Sequence, residues 1–442
     1  MRASLLLLVA MLAACGSRDA EVTSNETPEP AMGAAAAPVS EALTLGLWRA
    51  TVTLPTNAEL PFGLEIARDN GRYTADLING TERVRVPEMT VKDGRIEILM
   101  PGLASRIQAR ILPTGLDGEL VLVGHNDQQQ VLPLTATAGE DFRFEQAPLT
   151  DNADVSGRWN VTFERDGESS AAIAEFEQRH HSVQGTFVTP LADFRYLAGD
   201  VRDDLLQLSS FDGSRASLCR GRIDREGEMA GDCWTTLDGV QHFSAHRDDA
   251  AELTESAVTT QVRADAPRFN FTFPDLDGKP VSLTDQRFAG KVVLVVIGSS
   301  WCANCRDQAE FLTPWLERNR SRGLEVIALM FEHESRFVAA TTSVQNFRQQ
   351  FGITYPTLLA GKSGLDDASA ALPQLTGVYT FPTTLFIDRQ GRMRRIHMGF
   401  LSAAAAERQR QVLEEFDTIT EQLLNESGSV LNNAPNNTPS GT

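Results

Sequence analysis

Two cysteines three positions apart, Cys302 and Cys305, are the residues of this chain best placed to do redox chemistry; residues 301–305 read Trp-Cys-Ala-Asn-Cys. A run of apolar β-formers over 291–298 precedes them and predicts a strand, and the segment from 306 to about 321 predicts a helix. Two thiols with this spacing can close a small disulfide ring and open it again. The pair therefore predicts a thiol–disulfide exchange site at a strand-to-helix junction.

The position of Cys302 at the predicted start of a helix makes it the candidate nucleophile. Unpaired backbone N–H groups and the positive end of the helix dipole both favour a thiolate there, and the thiol pKa in such motifs can fall to roughly 3.5–7.5. Cys302 would attack a partner disulfide and form a mixed disulfide, which Cys305 would resolve to release the partner reduced. Ala303 and Asn304 carry no charge, so we expect a reducing-to-intermediate potential.

The spacing of the pair also allows two other uses. Two cysteines can form half of a zinc site, but such a site needs a second pair of ligands. The nearest histidine downstream is His333, and the chain contains no second Cys-x-x-Cys. A purely structural disulfide is the other alternative. We predict no metal site and no cofactor other than a redox-active disulfide.

Four motifs follow one another between residues 273 and 388. They are a predicted β-hairpin at 273–283, the segment 298–305, Pro314 within the predicted helix, and residues 380–388, which begin Thr-Phe-Pro-Thr-Thr. Together they resemble a thioredoxin-fold domain of the TlpA/ResA type, thiol–disulfide oxidoreductases of the bacterial envelope. The resemblance runs from position 267 to about 424, and several independent motifs make it specific for the fold.

The resemblance assigns further site residues. It implies a cis peptide bond before Pro382, which would lie against the cysteines and prevent metal capture by the thiols. It implies that Phe381 pairs with the client peptide, and that Trp301 helps to orient the substrate beside the nucleophile. The residues alone leave another interpretation of Pro382 open, an ordinary proline at the entry to a strand.

The sequence departs from this family at two positions. Many relatives have proline where Asn304 stands, and many have glutamate at the position of Gln308, where a buried carboxylate can carry protons to the second cysteine. Gln308 does not titrate. Proton transfer to Cys305 therefore needs another carrier, for which water, Glu332 and Asp307 are the candidates.

The N-terminus reads as an export signal. Residues 1–14 combine a basic position with an apolar run too short to span a bilayer, and 12–15 (Leu-Ala-Ala-Cys) reads as a lipobox. We expect cleavage before Cys15, lipidation of that cysteine and a flexible tether over 15–42. The alternative is a plain secretory signal. The expected location is the periplasm-facing side of the bacterial envelope, with a lipid anchor in the inner or outer membrane.

Composition limits the possible functions. The formal net charge of −19 at pH 7 excludes a nucleic-acid-binding protein. A chain of 442 residues, 42% of them hydrophobic, is sufficient for two or three packed domains. Without Cys15, four cysteines remain, an even number in an oxidising compartment.

Residues 43–147 and 148–248 are predicted to be two all-β domains, each a β-sandwich or small barrel, because short alternating runs are separated by turn signals. Residues 46–54 begin Gly-Leu-Trp-Arg and resemble 157–164, which begin Gly-Arg-Trp-Asn. This suggests an internal repeat, although chance similarity of two edge strands would look the same. We expect a linker over 249–266, an α/β thioredoxin-fold domain over 267–428 with an insertion over 353–379, and a disordered tail over 429–442.

Cys219 and Cys233 lie at equal distances from a predicted turn at 225–227. If the segment is a hairpin, the two face each other across it, and a disulfide is geometrically reasonable. We predict a structural disulfide rather than a second redox centre or a client of Cys302. Residues 43–247 otherwise show no catalytic constellation.

The leading hypothesis is an envelope thiol–disulfide oxidoreductase that reduces protein disulfides through Cys302 and Cys305. Its partners would be disulfide-containing envelope proteins and a membrane electron donor of the thiol-relay type. The β-domains would position the redox domain or choose its clients. Two alternatives stay open: a peroxiredoxin-like peroxidase, although no suitably placed proline precedes Cys302, and an envelope binding protein whose β-domains recognise a partner.

Overall fold

The computed structural model describes residues 43–426 except 145–151, 237–238, 254–255, 257 and 267. The predicted signal peptide, Cys15, the tether over 15–42 and the tail over 429–442 lie outside the described residues. Among the helices that are described, none combines the length and apolarity needed to cross a membrane.

The first region is a meander of nine antiparallel strands in one sheet. The strands are β1 (Gly46–Thr53), β2 (Glu59–Asp69), β3 (Arg72–Asn79), β4 (Glu82–Arg85), β5 (Glu88–Lys92), β6 (Arg95–Leu99), β7 (Arg106–Leu112), β8 (Gly115–Val123) and β9 (Gln129–Ala138). Their order in the sheet is β4-β3-β2-β1-β9-β8-β7-β6-β5. The first strand therefore pairs with the last, and the ladder is interrupted only between the consecutive strands β4 and β5.

The second region is a closed barrel of eight strands. They are β10 (Gly157–Arg165), β11 (Glu168–Arg179), β12 (Ser182–Val188), β13 (Leu197–Arg202), β14 (Leu205–Phe211), β15 (Ala216–Ile223), β16 (Met229–Thr235) and β17 (Gly239–Arg247). Phenylalanine side chains fill much of its core, among them Phe163, Phe187 and Phe243, whose rings lie 5.3–6.0 Å apart. The cross-strand register pairs Cys219 with Cys233, and the two form a disulfide.

The two β regions share local structure where their sequences resemble each other. Trp48 and Trp159 are both buried, and each indole N–H donates to the carbonyl four residues before it, Thr44 at 3.1 Å and Val155 at 3.0 Å. In both regions the strand that carries the tryptophan pairs with the last strand of its own region. The second region closes as a barrel, and the first stays open.

The third region is an α/β domain whose sheet has the order β22-β21-β20-β23-β24. Its elements are β18 (Thr272–Pro274), β19 (Pro280–Ser282), β20 (Val292–Gly298), α1 (Ala303–Asn319), β21 (Leu324–Glu332), α2 (Phe337–Gln350), β22 (Thr357–Lys362), α3 (Leu365–Ala371), β23 (Thr383–Ile387), β24 (Met393–Met398) and α4 (Ala406–Asn425). Strands β20, β21 and β22 are parallel, and β23 and β24 are antiparallel to their neighbours. The predicted fold class, an all-β region followed by a thioredoxin-fold domain, is confirmed.

The interpretation of residues 353–379 as an insertion is wrong. The segment contains β22, which pairs in parallel with β21 as an edge strand of the central sheet, and the short helix α3. The strand is only six residues long and ends in Gly361 and Lys362, so its sequence carries little of the period-two pattern of a longer strand.

Candidate active site

Strand β20 and helix α1 hold the cysteine pair. All seven residues of β20 are buried in the middle of the sheet, so the strand is a fixed base for the motif. Cys302 is the N-cap of α1, and its Sγ accepts a hydrogen bond from the backbone N–H of Cys305 at 3.2 Å. In the structure the two cysteines form a disulfide. After reduction, the same N–H group and the helix dipole stabilise a thiolate at Cys302.

The end of β20 approaches the second sulfur closely. A Cβ atom on Gly298 would lie 3.1 Å from the Sγ of Cys305, so this position has little room for a larger residue. Cys305 is 5% exposed and Cys302 is 8% exposed. Both cysteines are therefore buried in this structure, and their exposure does not separate their roles.

The loop before β23 lies beside the nucleophile. The Phe381–Pro382 peptide bond is cis, and the carbonyl oxygen of Phe381 lies 3.6 Å from the Sγ of Cys302. A peptide carbonyl in this place faces any chain whose sulfur reaches Cys302. The structure thus places beside the cysteine pair both Phe381, which the resemblance assigned to client binding, and the cis bond that it implied before Pro382.

Trp301 is held by contacts on several sides. Its indole N–H donates to the carbonyl of Phe331 at 3.1 Å, and its ring stacks on His333 with centroids 4.3 Å apart. Burial lowers the pKa of His333 to about 4, so the imidazole is neutral at physiological pH. The ring of Phe381 meets Trp301 edge-on at 6.1 Å. The tryptophan therefore forms a fixed wall next to Cys302.

Glu332 is a buried carboxyl group next to the motif. It accepts hydrogen bonds from the backbone N–H of Ser300 at 2.9 Å and from the Ser300 hydroxyl at 2.6 Å. Burial raises its pKa to about 8, and the two hydrogen bonds from Ser300 act in the opposite direction. The side chain therefore carries a proton at neutral pH, and it contacts Ser300, two residues before the nucleophile.

The C-terminal part of the chain is similar in sequence to known thiol-disulfide oxidoreductases. Residues 262–396 match the model of the AhpC/TSA family. The thiol-disulfide oxidoreductase ResA of Bacillus thuringiensis subsp. konkukian (strain 97-27) is 25% identical over 156 residues, which are 35% of this chain and 76% of that protein. ResA of Bacillus subtilis (strain 168) is 27% identical over 139 residues, 31% of this chain and 68% of its own. The C-terminal domain is similar to TlpA/ResA-like thioredoxin-fold proteins.

A solved thiol:disulfide interchange protein of the thioredoxin family, from Chlorobium tepidum TLS, aligns with 36% of this chain and 99% of its own. The identity is 23% and the TM-score 0.27.

Gln308 lies at the position where the TlpA/ResA resemblance leads us to expect glutamate. Its side chain is buried, and its Nε2 donates to the hydroxyl of Thr384 at 2.8 Å, which ties α1 to β23. Of the candidate proton carriers, Asp307 forms an ion pair with Arg195, whereas Glu332 faces Ser300.

The TlpA/ResA-like motif also contacts residues that the sequence did not single out. Asp193 and Arg195 of the barrel and Gly102 of the nine-stranded sheet all lie against residues 301–307. Residues 43–247, for which the sequence predicts no catalytic constellation, therefore contact the motif directly. These contacts depend on how three regions pack together, and local sequence pattern carries no signal for that.

A buried ion cluster joins the three regions beside α1. The guanidinium of Arg195 lies 2.6 Å from Oε1 of Glu82 on β4, and it also pairs with Asp307 on α1. Burial opposes the charge of Arg195, but Asp307 and Glu82 outweigh burial and raise its pKa. Arg306 adds a hydrogen bond to the carbonyl of Asp212 at 3.0 Å. Each region thus supplies a charge that needs a partner from another region.

Proposed function

We propose that this protein reduces disulfide bonds of other envelope proteins through Cys302 and Cys305. The arrangement of Cys302 carries the proposal: it caps α1, its sulfur accepts a backbone hydrogen bond, and the carbonyl of Phe381 lies beside it. Similarity to proteins named thiol-disulfide oxidoreductase supports the same chemistry.

The proposed reaction is a two-step exchange. The thiolate of Cys302 attacks one sulfur of the client disulfide, and the other client sulfur leaves as a thiolate that takes up a proton. The thiolate of Cys305 then attacks the Cys302 sulfur of the mixed disulfide. The client leaves as a dithiol, two electrons have passed to it, and the protein keeps the Cys302–Cys305 disulfide. A dithiol electron donor in the membrane reduces that disulfide again and is itself oxidised.

Trapping of the mixed disulfide tests this order of events. Reduced Cys305→Ser protein, mixed with insulin, should accumulate a covalent adduct that dithiothreitol releases, because the resolving thiol is missing. The Cys302→Ser/Cys305→Ser double variant is the matched control and should form no adduct. An adduct of equal yield in both variants, or in neither, would contradict the proposal.

We also propose that lipidation of Cys15 anchors the protein on the periplasm-facing side of a membrane. The lipobox at 12–15 supports this location. Radiolabelled palmitate should be incorporated into the wild type and not into Cys15→Ser, while insulin reduction by the purified variant stays unchanged. Equal incorporation into the two proteins would contradict the lipid anchor.

The peroxidase alternative receives less support. The relatives above carry the name thiol-disulfide oxidoreductase, which favours exchange with protein disulfides. Rapid, stoichiometric consumption of hydrogen peroxide by the reduced protein would reverse this preference.

A further inference from the structure

The barrel contributes a buried carboxylate to the redox motif. Asp193 lies in the connection between β12 and β13 and is 1% exposed. Its Oδ1 accepts a hydrogen bond from Nδ2 of Asn304 at 2.9 Å, across a separation of 111 residues. Ser402 donates to the same carboxylate through its backbone N–H at 3.3 Å and through its hydroxyl. All three are hydrogen bonds that an ionised carboxylate accepts.

Asn304 is fixed by this contact. It is one of the two residues between the cysteines, lies in the first turn of α1 and is 6% exposed. Its amide nitrogen donates to Asp193 and also to the carbonyl of Phe400. The side chain therefore connects the barrel to the first turn of α1, the helix whose N-terminus stabilises a thiolate at Cys302.

We propose that Asp193 is a positioning residue that sets the reduction potential of the Cys302–Cys305 pair, so that the barrel forms part of the redox site. The inference rests on the proposed function, because a potential matters only for a pair that exchanges electrons with partners. The positive end of α1 stabilises both a thiolate on Cys302 and the carboxylate that is bonded to Asn304. Because both groups are negative, each makes the ionised form of the other less favourable. Asp193 thereby destabilises the thiolate and keeps the pair reducing.

Other charged and titratable groups lie around residues 300–307 and around Asp193. They come from every region packed there: Glu82, Arg195, Asp212, Arg306, Asp307, Glu332, His333 and Arg215, which donates to the backbone carbonyl of Asp193 at 2.9 Å. The first five form the ion cluster, in which arginines and carboxylates offset each other. Asp193 differs because its hydrogen bond goes to a residue between the two cysteines.

The glutathione equilibrium of Asp193→Asn tests the inference. This change keeps the shape of the side chain and removes its charge. In the reaction protein disulfide + 2 GSH ⇌ protein dithiol + GSSG, the equilibrium constant should rise about tenfold, which corresponds to a potential about 30 mV more positive. Alkylation of Cys302 by iodoacetamide should reach half its maximal rate at a lower pH than in the wild type.

Asp232→Asn is the matched control. Asp232 is an exposed carboxylate of the same barrel, paired with His242. Its replacement should leave the equilibrium constant and the alkylation profile unchanged. An Asp193→Asn protein that melts at a lower temperature but keeps the wild-type equilibrium constant would overturn the inference, because a purely structural contact would behave in that way.

Asn304→Ala approaches the same contact from the redox domain and decides the question if Asp193→Asn does not fold. It removes the amide dipole that faces the carboxylate, so the equilibrium constant should fall. A wild-type value in Asn304→Ala would then overturn the inference. A wild-type protein that does not equilibrate with glutathione at all would overturn the proposed function and the inference together, whereas a reactive wild type with unchanged variants would overturn the inference alone.

Discussion

Gly102 of the nine-stranded sheet lies directly against Trp301 of the redox motif. A Cβ atom on Gly102 would be 2.9 Å from the Cβ and 3.0 Å from the Cα of Trp301, and the glycine has a φ of +85°. The connection between β6 and β7 thus covers one side of the motif, while the connection that carries Asp193 covers another. The β regions form two walls beside Cys302, which agrees with its low exposure.

Replacing Gly102 should loosen one of these walls. In Gly102→Ala the new methyl group forces the connection away from Trp301, and the left-handed backbone adds about 1–3 kcal/mol of strain. We expect reduction of insulin, a bulky substrate, to become faster relative to reduction of the small aromatic disulfide DTNB. The measurement is the ratio of the two rates.

Gly94→Ala is the control for that experiment. Gly94 belongs to the same sheet and has a φ of +70°, but its added Cβ would meet no atom within 4 Å. It should carry similar backbone strain and keep the wild-type rate ratio. Equal ratios in the two variants would show that the contact with Trp301 does not limit access.

Arg195→Ala should destabilise the protein strongly. It leaves Glu82 and Asp307 without their shared cation at a buried junction, and loss of one partner from a buried ion pair costs about 3–5 kcal/mol. Denaturant unfolding measures the loss. Arg222→Ala, which removes an exposed ion pair with Asp204 on the barrel, should cost less than about 1 kcal/mol. Equal losses in the two variants would contradict the role of the cluster.

Glu332 should make stability depend on pH. Its folded pKa of about 8 lies above the unfolded value of about 4.3, so between these values the folded protein holds a proton that the unfolded chain has lost. Its contribution to the free energy of unfolding is therefore present at low pH and is lost as pH rises through about 8. The difference between wild type and Glu332→Gln should shift by up to about 4 kcal/mol from pH 5 to pH 8. Parallel pH profiles would exclude this effect.

The disulfide between Cys219 and Cys233 should stabilise the barrel without taking part in exchange. It closes a loop with a sequence separation of 14, for which chain entropy predicts about 3 kcal/mol. The Cys219→Ser/Cys233→Ser double variant should lose that stability and keep wild-type insulin reduction under conditions where it is folded. Loss of insulin reduction by a folded double variant would instead favour a second redox centre.

The sequence predicts those structural features that are determined by residues close together in the chain. The strand, the cysteine spacing and the helix around Cys302 follow from a few adjacent residues, and the turn at 225–227 fixes which residues face each other across the hairpin. The contacts of Asp193 and Arg195 were not predictable in this way, because each joins residues more than 100 positions apart. The opening between β4 and β5 is also not predictable from local pattern, because whether a sheet closes into a barrel depends on all of its strands.

Insulin reduction by the Cys302→Ser variant tests the central claim most directly. If Cys302 is the nucleophile, the folded variant should reduce insulin no faster than dithiothreitol alone, while Asp232→Asn keeps the wild-type rate. Full reductase activity in Cys302→Ser would contradict the account.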